Sequence, residues 1–329
     1  MKKLRWLLLS GFAILVTMAF FVTRTAAEPG EIKLIVPGVW FCEGDLAKLG
    51  HSNNIIIEMK DYLIVVDANF PSGARLTMET AKRISPKPVK YVFDTHHHGD
   101  HAYGNPVWTK AGATTLAYVG VTEEMKRFEP KRWQSASKER PDVADLHLDA
   151  PEPPQQTFDK SPFILKDGTR EVRFYFFGWA HTRGDGFVYL PKEQVLCTGD
   201  AVVNGPYNFT ADANVANWPK VVHSAQTLGA RYVLPGHGSS GGPDILEGQA
   251  KFMTELHRVV ADTIKQGKTL EEVVPSGATA TVYGNVVPAK TTLTLSAGVK
   301  NWVGPFFPAQ VRDTWEEIVQ KTPHGDLPH

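Results

Sequence analysis

An α/β fold is what this sequence predicts, on three observations. Two strand–helix passages follow one another, the second strand running into the segment "DTHHHGDHAYGN" (94–105). Several apolar runs end directly in a histidine or aspartate, which is where α/β proteins build their sites. The composition, 42% hydrophobic and 21% charged over 329 residues, is that of a globular chain long enough for one large domain or two small ones.

The chain opens with a basic start (Lys2, Lys3, Arg5), an apolar run and the small residues Thr25 and Ala27 at the −3 and −1 positions of a cleavage site. Residues 1–27 are therefore expected to be a secretory signal peptide. The alternative is an uncleaved anchor, since the run is long and Arg24 follows it. Either way the folded part is expected outside the cytoplasm: periplasmic or secreted, or membrane-anchored with an extracytoplasmic domain. The net charge is zero, so no global field favours nucleic acid or an acidic membrane, and a small-molecule substrate is expected. Cys42 and Cys197 are too few for a disulfide framework or a Cys-rich zinc site. Each is expected to act as a small buried hydrophobe.

Along the chain, "NNIIIEMKDYLIVVDANFP" (53–71) reads as two strands around Lys60 and Asp61. A helix opens at Pro71 and runs to about Ile84, and "KPVKYVFDT" is a third strand leading into the histidine cluster. Residues from Val121 to about Lys138 read as a charged helix, and the proline-rich stretch after it as an irregular connection. "PFILKDGTREVRFYFF" is a hairpin turning at Asp167-Gly168, and "GFVYLPKEQVLCTGD" a second one turning near Pro191 to Glu193. "VANWPKVVHSAQTLGA" is a helix and "RYVLPGHG" a strand. The division expected is 28–243 as the catalytic domain and 244–329 as a mostly helical extension of it, with 279–295 unassigned.

His96 and His98 stand two apart, a spacing that shares a face on a strand but not on a helix. His97 then points elsewhere and is expected not to be a ligand. Gly99 permits the turn that presents Asp100 and His101. Other strand ends supply His181 after "FYFFGWA", Asp200 after "VLCTG" and His237 after "YVLPG". His51, His147, His223, His257, His324 and His329 have no motif context and are expected to play no part.

Taken together, Asp67, the run His96-x-His98-x-Asp100-His101, "AHTRGD" around His181, "TGD" ending at Asp200 and "PGHG" around His237 resemble the five ordered motifs of the metallo-β-lactamase superfamily, over roughly residues 35 to 240. The resemblance implies a four-layer αβ/βα sandwich with its metals at one edge of the sheets. It implies two Zn2+ ions: His96, His98 and His181 would hold one, Asp100, His101 and His237 the other, and Asp200 would bridge them. Three imidazoles suit zinc with one position left for water. Two ions about 3.5–4 Å apart can share a hydroxide that attacks a carbonyl. Asp100 and Asp200 carry the catalytic role as well. Asp67, Thr182 and Asp185 would hold the ligand loops rather than the metal.

Flavodiiron-type members have a glutamate where His98 stands, so oxygen reduction is not expected. One β-lactamase subclass shares the histidine run and export but has serine where Asp200 stands. The expectation is an exported dinuclear hydrolase of an ester, lactone or amide. A β-lactamase or thioesterase of the same fold, an iron-dependent persulfide dioxygenase and a non-enzymatic binding protein are the alternatives. Phe70, Trp179, Tyr207 and Phe209 either line an apolar pocket or belong to the core. Tyr207 is also a candidate proton donor to the leaving group.

Overall fold

Side-chain alternation builds the centre of the molecule. Ile55 and Ile57 face one way and Ile56 the other, and all three are buried. The next strand repeats the pattern. Ile64 and Val66 join Ile55 and Ile57 in one core, while Leu63 and Val65 join Ile56 in another. Strands buried on both faces require a layer on each side.

The computed structural model describes residues 32–328, so the expected signal segment and His329 lie outside the described residues. One sheet holds seven strands in chain order: β1 (Ile32–Val36), β2 (Val39–Cys42), β3 (Asn54–Glu58), β4 (Leu63–Val66), β5 (Val89–Asp94), β6 (Thr114–Tyr118) and β7 (Gln156–Phe158). Its first four strands pair antiparallel, with Ile55 opposite Val66, and β4 to β7 run parallel. The other sheet contains β8 (Phe163–Lys166), β9 (Glu171–Phe176), β10 (Gly186–Leu190), β11 (Val195–Gly199) and β12 (Tyr232–Pro235), in the order β12-β11-β10-β9-β8. Both expected hairpins are present, as β8–β9 and β10–β11.

The helices are α1 (Pro71–Ile84), α2 (Gly99–Ala102), α3 (Asn105–Lys110), α4 (Val119–Glu139), α5 (Pro141–Ala144), α6 (Trp218–Gln226), α7 (Asp244–Lys265), α8 (Leu270–Val273) and α9 (Phe307–Gln320). Helix α1 starts on its proline, whose missing N–H costs nothing in the first turn. The connection after α4 is irregular except for the single turn α5. Among the described residues no helix is long and apolar enough to cross a membrane.

Ala74 and Ala81 of α1 and Trp108 of α3 cover the outer face of the first sheet. Val221, Phe252 and Val311, from α6, α7 and α9, cover that of the second. Between the sheets lie Ile55, Ile57, Ile64, Val66, Val188, Val195 and Cys197, each contact of this kind removing apolar surface from water at about 1.5–3 kcal/mol per large aliphatic side chain. This is the four-layer αβ/βα sandwich. Cys197 is the buried hydrophobe expected of it, and both cysteines are free thiols.

The C-terminal region is mostly helical. The unassigned stretch contains a hairpin, β13 (Thr279–Val282) and β14 (Asn285–Pro288). Its two-residue turn is Tyr283-Gly284, with φ of 46° and 82°. Asparagine or aspartate usually marks such a turn, and the tyrosine conceals it from a reading of the sequence.

Candidate metal centre

Within the sheets β4, β5, β9, β11 and β12 all end on one edge, and the polar residues that follow them converge there. Nδ1 of His98 lies 3.1 Å from Nε2 of His96 and 3.0 Å from Nε2 of His181. Nitrogens tetrahedrally placed around zinc would stand ~3.3 Å apart at the usual bond length. Beside this triad, Asp100, His101 and His237 form a second group. Nε2 of His237 is 3.1 Å from Asp100 Oδ2 and 3.4 Å from Asp200 Oδ2. Asp200 reaches both groups, with Oδ1 3.4 Å from His101 Nε2 and Oδ2 3.9 Å from His181 Nε2. All seven residues singled out from the sequence are thus gathered in one cluster.

Two glycines make the approach possible. Gly199 turns the chain out of β11 at φ 51°, and a Cβ there would meet the side chain of Thr95. A Cβ on Gly236 would overlap the carboxylate of Asp200.

Four of the five imidazoles, all but His237, have a partner at the other nitrogen that sets the tautomer. Nε2 of His98 donates to Asp212 Oδ2 at 2.8 Å, and Nδ1 of His181 donates to the Phe209 carbonyl at 2.9 Å. Nδ1 of His96 is 3.1 Å from Thr95 Oγ1, whose own proton goes to Asp67 Oδ1. Nδ1 of His101 donates to Asp67 Oδ2 at 2.9 Å. Asp67 also accepts from the Thr95 N–H, so one carboxylate holds the ligand loop at three points. It does so from a left-handed conformation, φ 68°, uncommon for a residue other than glycine. Asp185 accepts from the N–H groups of Ala180 and Thr182 and the Thr182 hydroxyl, fixing the turn that carries His181. Burial pushes Asp185 up to about 7.

His97 points away from the triad, as its place between His96 and His98 predicts. It is buried, with Nε2 3.2 Å from Asp212 Oδ2 and its ring stacked on Phe128. Asp212 and Arg132 are the residues sequence reasoning missed. Both oxygens of Asp212 are occupied by the Arg132 guanidinium, at 2.6 and 2.8 Å. That cation makes the grouping of His97, His98 and Asp212 a charge cluster rather than a third metal site. Burial works against ionising Asp212, but His97, His98 and Arg132 together hold it well below the usual carboxylate range.

The two halves differ electrostatically. Burial lowers His98 to about 3 and His181 to about 4, and it holds His96 well below its ordinary value. Three unprotonated nitrogens then face one another. Burial also opposes charge on His101 and His237, but Asp100, Asp67 and Asp200 outweigh it at His101, and Asp200 and Asp100 at His237. His101 is held well above its ordinary value, and His237 rises to about 9. Asp200, against its burial, is pulled down to about 2 by His237 and His101. Its buried Oδ1 has no hydrogen-bond partner. Converging lone pairs in one half, carboxylates in the other and an orphaned acceptor between them fit two cations of the zinc type.

The aromatic candidates divide. Phe209 meets His98 edge-on at 5.6 Å, and Tyr207 lies 6.0 Å from the His237 ring. Phe70 packs on Tyr103 beneath Arg140, and Trp179 donates to the Asp212 carbonyl, so these two serve structure. The loop carrying Phe209 and Asp212 is tied to the C-terminal region. Gln310 donates to the Asn208 carbonyl, Thr210 donates to Asp313, and Glu317 accepts from the N–H groups of Val215 and Ala216. His324, expected to be incidental, is buried and hydrogen-bonds the Ala211 carbonyl at 2.8 Å. His51, also buried, bonds Ser72.

The model of the metallo-beta-lactamase superfamily matches residues 47–237. A metallo-beta-lactamase type 2 of Bacteroides fragilis is 32% identical over 99 residues, which are 29% of this chain and only 39% of that protein. The type 2 enzyme of Bacillus sp. (strain 170) is 27% identical over 206 residues, 59% of this chain and 70% of that one. The metallo-beta-lactamase from Pontibacter korlensis superposes with a TM-score of 0.55 at 21% identity, over 68% of this chain and 98% of that one. FIM-1 from Pseudomonas aeruginosa, solved in its mono-zinc form, gives 0.53 at 23% identity, over 70% and 97%. These structures share the sandwich. The family match takes in every residue of the cluster and more than half of the sequence, so the chain belongs to the metallo-beta-lactamase superfamily.

Proposed function

We propose that this metallo-hydrolase is an exported, dinuclear zinc enzyme that cleaves an ester, lactone or amide bond of a small molecule. The observation that carries the proposal is the position of Asp200, between a three-imidazole group and an Asp/His/His group with one oxygen unpartnered. His96, His98 and His181 would hold the first ion, and Asp100, His101 and His237 the second, with Asp200 within reach of both. Bound there, two zinc ions would lower the pKa of a water toward ~7 and polarise the scissile carbonyl. The chain's own part is to orient and to accept protons. Asp67 and Asp212 fix the ligand imidazoles, and the ionised carboxylates of Asp100 and Asp200 face the space where an attacking water would lose its proton.

A second reading, β-lactam hydrolysis, is favoured by the names of the relatives, which are metallo-beta-lactamases. A panel of lactone, thioester, phosphotriester and β-lactam, run on protein of measured metal content, separates the two. One iron and no second metal would transfer the case to persulfide oxidation. Turnover that survives exhaustive chelation would place the nucleophile elsewhere. Export rests on the basic start, apolar run and small residues of 1–27. Sequencing the mature N-terminus tests it: a start near Glu28 is expected, and an intact Met1 in a membrane fraction would mean an anchor.

A further inference from the structure

The C-terminal hairpin lies beyond the family-matched residues, yet it reaches the metal centre through a chain of rings. Phe209 stands 5.6 Å from the His98 ring and 5.6 Å from Phe306. Phe306 stands 5.7 Å from Tyr283, Tyr283 6.4 Å from Tyr207, and Tyr207 6.0 Å from the His237 ring. The chain begins on a residue of the first ligand group and ends on one of the second. With the ligand imidazoles it closes a loop: His98 touches His96, His96 touches His101, and His101 touches His237.

We infer that the rings of Tyr207, Phe209 and Tyr283, backed by the buried Phe306, are the specificity wall of the site. They receive an apolar, ring-bearing group attached to the scissile bond, with Tyr283 as the determinant contributed by the hairpin. The inference rests on the dinuclear hydrolase proposed above and names its substrate class.

An ordinary aromatic core would not look like this. Phe306 is 3% exposed, but Tyr283 is 38% exposed at the tip of the turn. Tyr283 also occupies a left-handed position, φ 46°, where a bulky residue is disfavoured and asparagine or glycine is the usual choice. Local propensity therefore argues against a tyrosine here, and turn geometry does not account for it. Its ring does have a use at the mouth of the centre, where aromatic faces take an apolar group in stacked or edge-on contact. The hairpin itself is anchored independently. Val282 and Val287 are buried against Phe306 and Ala309, while Val286 on the opposite face is 72% exposed.

The test measures binding of two hydroxamates to the zinc-loaded protein by calorimetry: acetohydroxamate, which has no arm, and 4-phenylbutanehydroxamate, which carries a ring. The ring-bearing compound should bind on the order of tenfold tighter or more. Tyr283→Asn suits the turn better than tyrosine, so the fold should survive, and it should lose most of that preference while binding acetohydroxamate and zinc as before. Tyr283→Phe should keep the preference, and so should Val286→Thr. Equal affinities in the native protein, or a preference that persists in Tyr283→Asn, would overturn the wall while leaving the dinuclear centre standing. If neither hydroxamate binds the zinc-loaded protein, the metal centre itself is wrong and the wall falls with it.

Discussion

Asp212 accepts a 2.8 Å hydrogen bond from Nε2 of His98, and in doing so commits the lone pair of His98 to Nδ1, the atom that faces His96 and His181. The carboxylate thus sits at one nitrogen of the imidazole and the other ligand nitrogens at the opposite one, with Arg132 clamping the carboxylate. Loss of such a partner typically weakens metal binding 10–100-fold. Asp212→Asn should therefore lower zinc affinity at the first site by about that factor and leave the second site nearly unchanged. Competition with a chelator on the metal-free protein checks this. Equal first-site affinity in mutant and native protein would reduce Asp212 to a structural ion pair.

The opposed pKa shifts predict that the two sites take up metal differently as pH changes. With His98 held at about 3, His181 at about 4 and His96 also low, the first site has no histidine proton to displace above about pH 5. Its affinity should be nearly flat from there upward. At the second site His101 and His237 are raised, His237 to about 9, so at neutral pH the metal must displace protons. Affinity there should climb with pH through neutrality, by about tenfold per unit for each proton displaced, the His237 share levelling off above about 9. Titration calorimetry in buffers of different ionisation enthalpy counts the protons. Release accompanying the first equivalent of zinc instead of the second would reverse the assignment.

The ligand set was legible because each of its members follows a strand whose apolar side chains declare it: His96 after β5, Asp200 after β11, His237 after β12. Asp212 and Arg132 had no such frame. They meet across 80 positions, one in an irregular loop, the other on α4, where an arginine reads as part of a solvated face. His324 lacks such a frame too, since its burial against the 211–213 loop is purely tertiary. The hairpin Thr279–Pro288 is obscured in the sequence by Tyr283, a residue that a two-residue turn seldom holds.

The C-terminal region should matter to the metal centre without touching it. Glu317 accepts from the backbone N–H groups of Val215, Ala216 and His324 and so ties the loop of Asp212 to α9. In Glu317→Gln one of the two carboxylate oxygens becomes an amide that cannot accept, and a buried N–H loses its partner. The cost should be on the order of 2 kcal/mol in urea unfolding, with first-site zinc affinity falling alongside. Full stability with full affinity would show that the loop holds its shape unaided.

Asp200→Asn separates the two-metal assignment from its bland alternative most sharply. If Asp200 merely closes β11, an amide of the same shape leaves metal content alone. If it lies between two cations, the amide removes the negative charge that offsets their mutual repulsion and offers one accepting oxygen where two are needed. The carboxylate is held down to about 2 by His237 and His101, so it is ionised throughout the working range and the charge lost is a full one. The folded structure should persist, because Gly236, which leaves room for the carboxylate, accommodates an amide of equal volume. Zinc content measured after metal-replete purification should fall from about two toward one, the remaining ion sitting with the three imidazoles, and kcat should drop severely. His181→Ala should instead empty mainly the first site. If Asp200→Asn kept both metals and near-native turnover, Asp200 would not be a bridge, and a ligand set without it, as in the subclass with serine at this position, would describe the centre better.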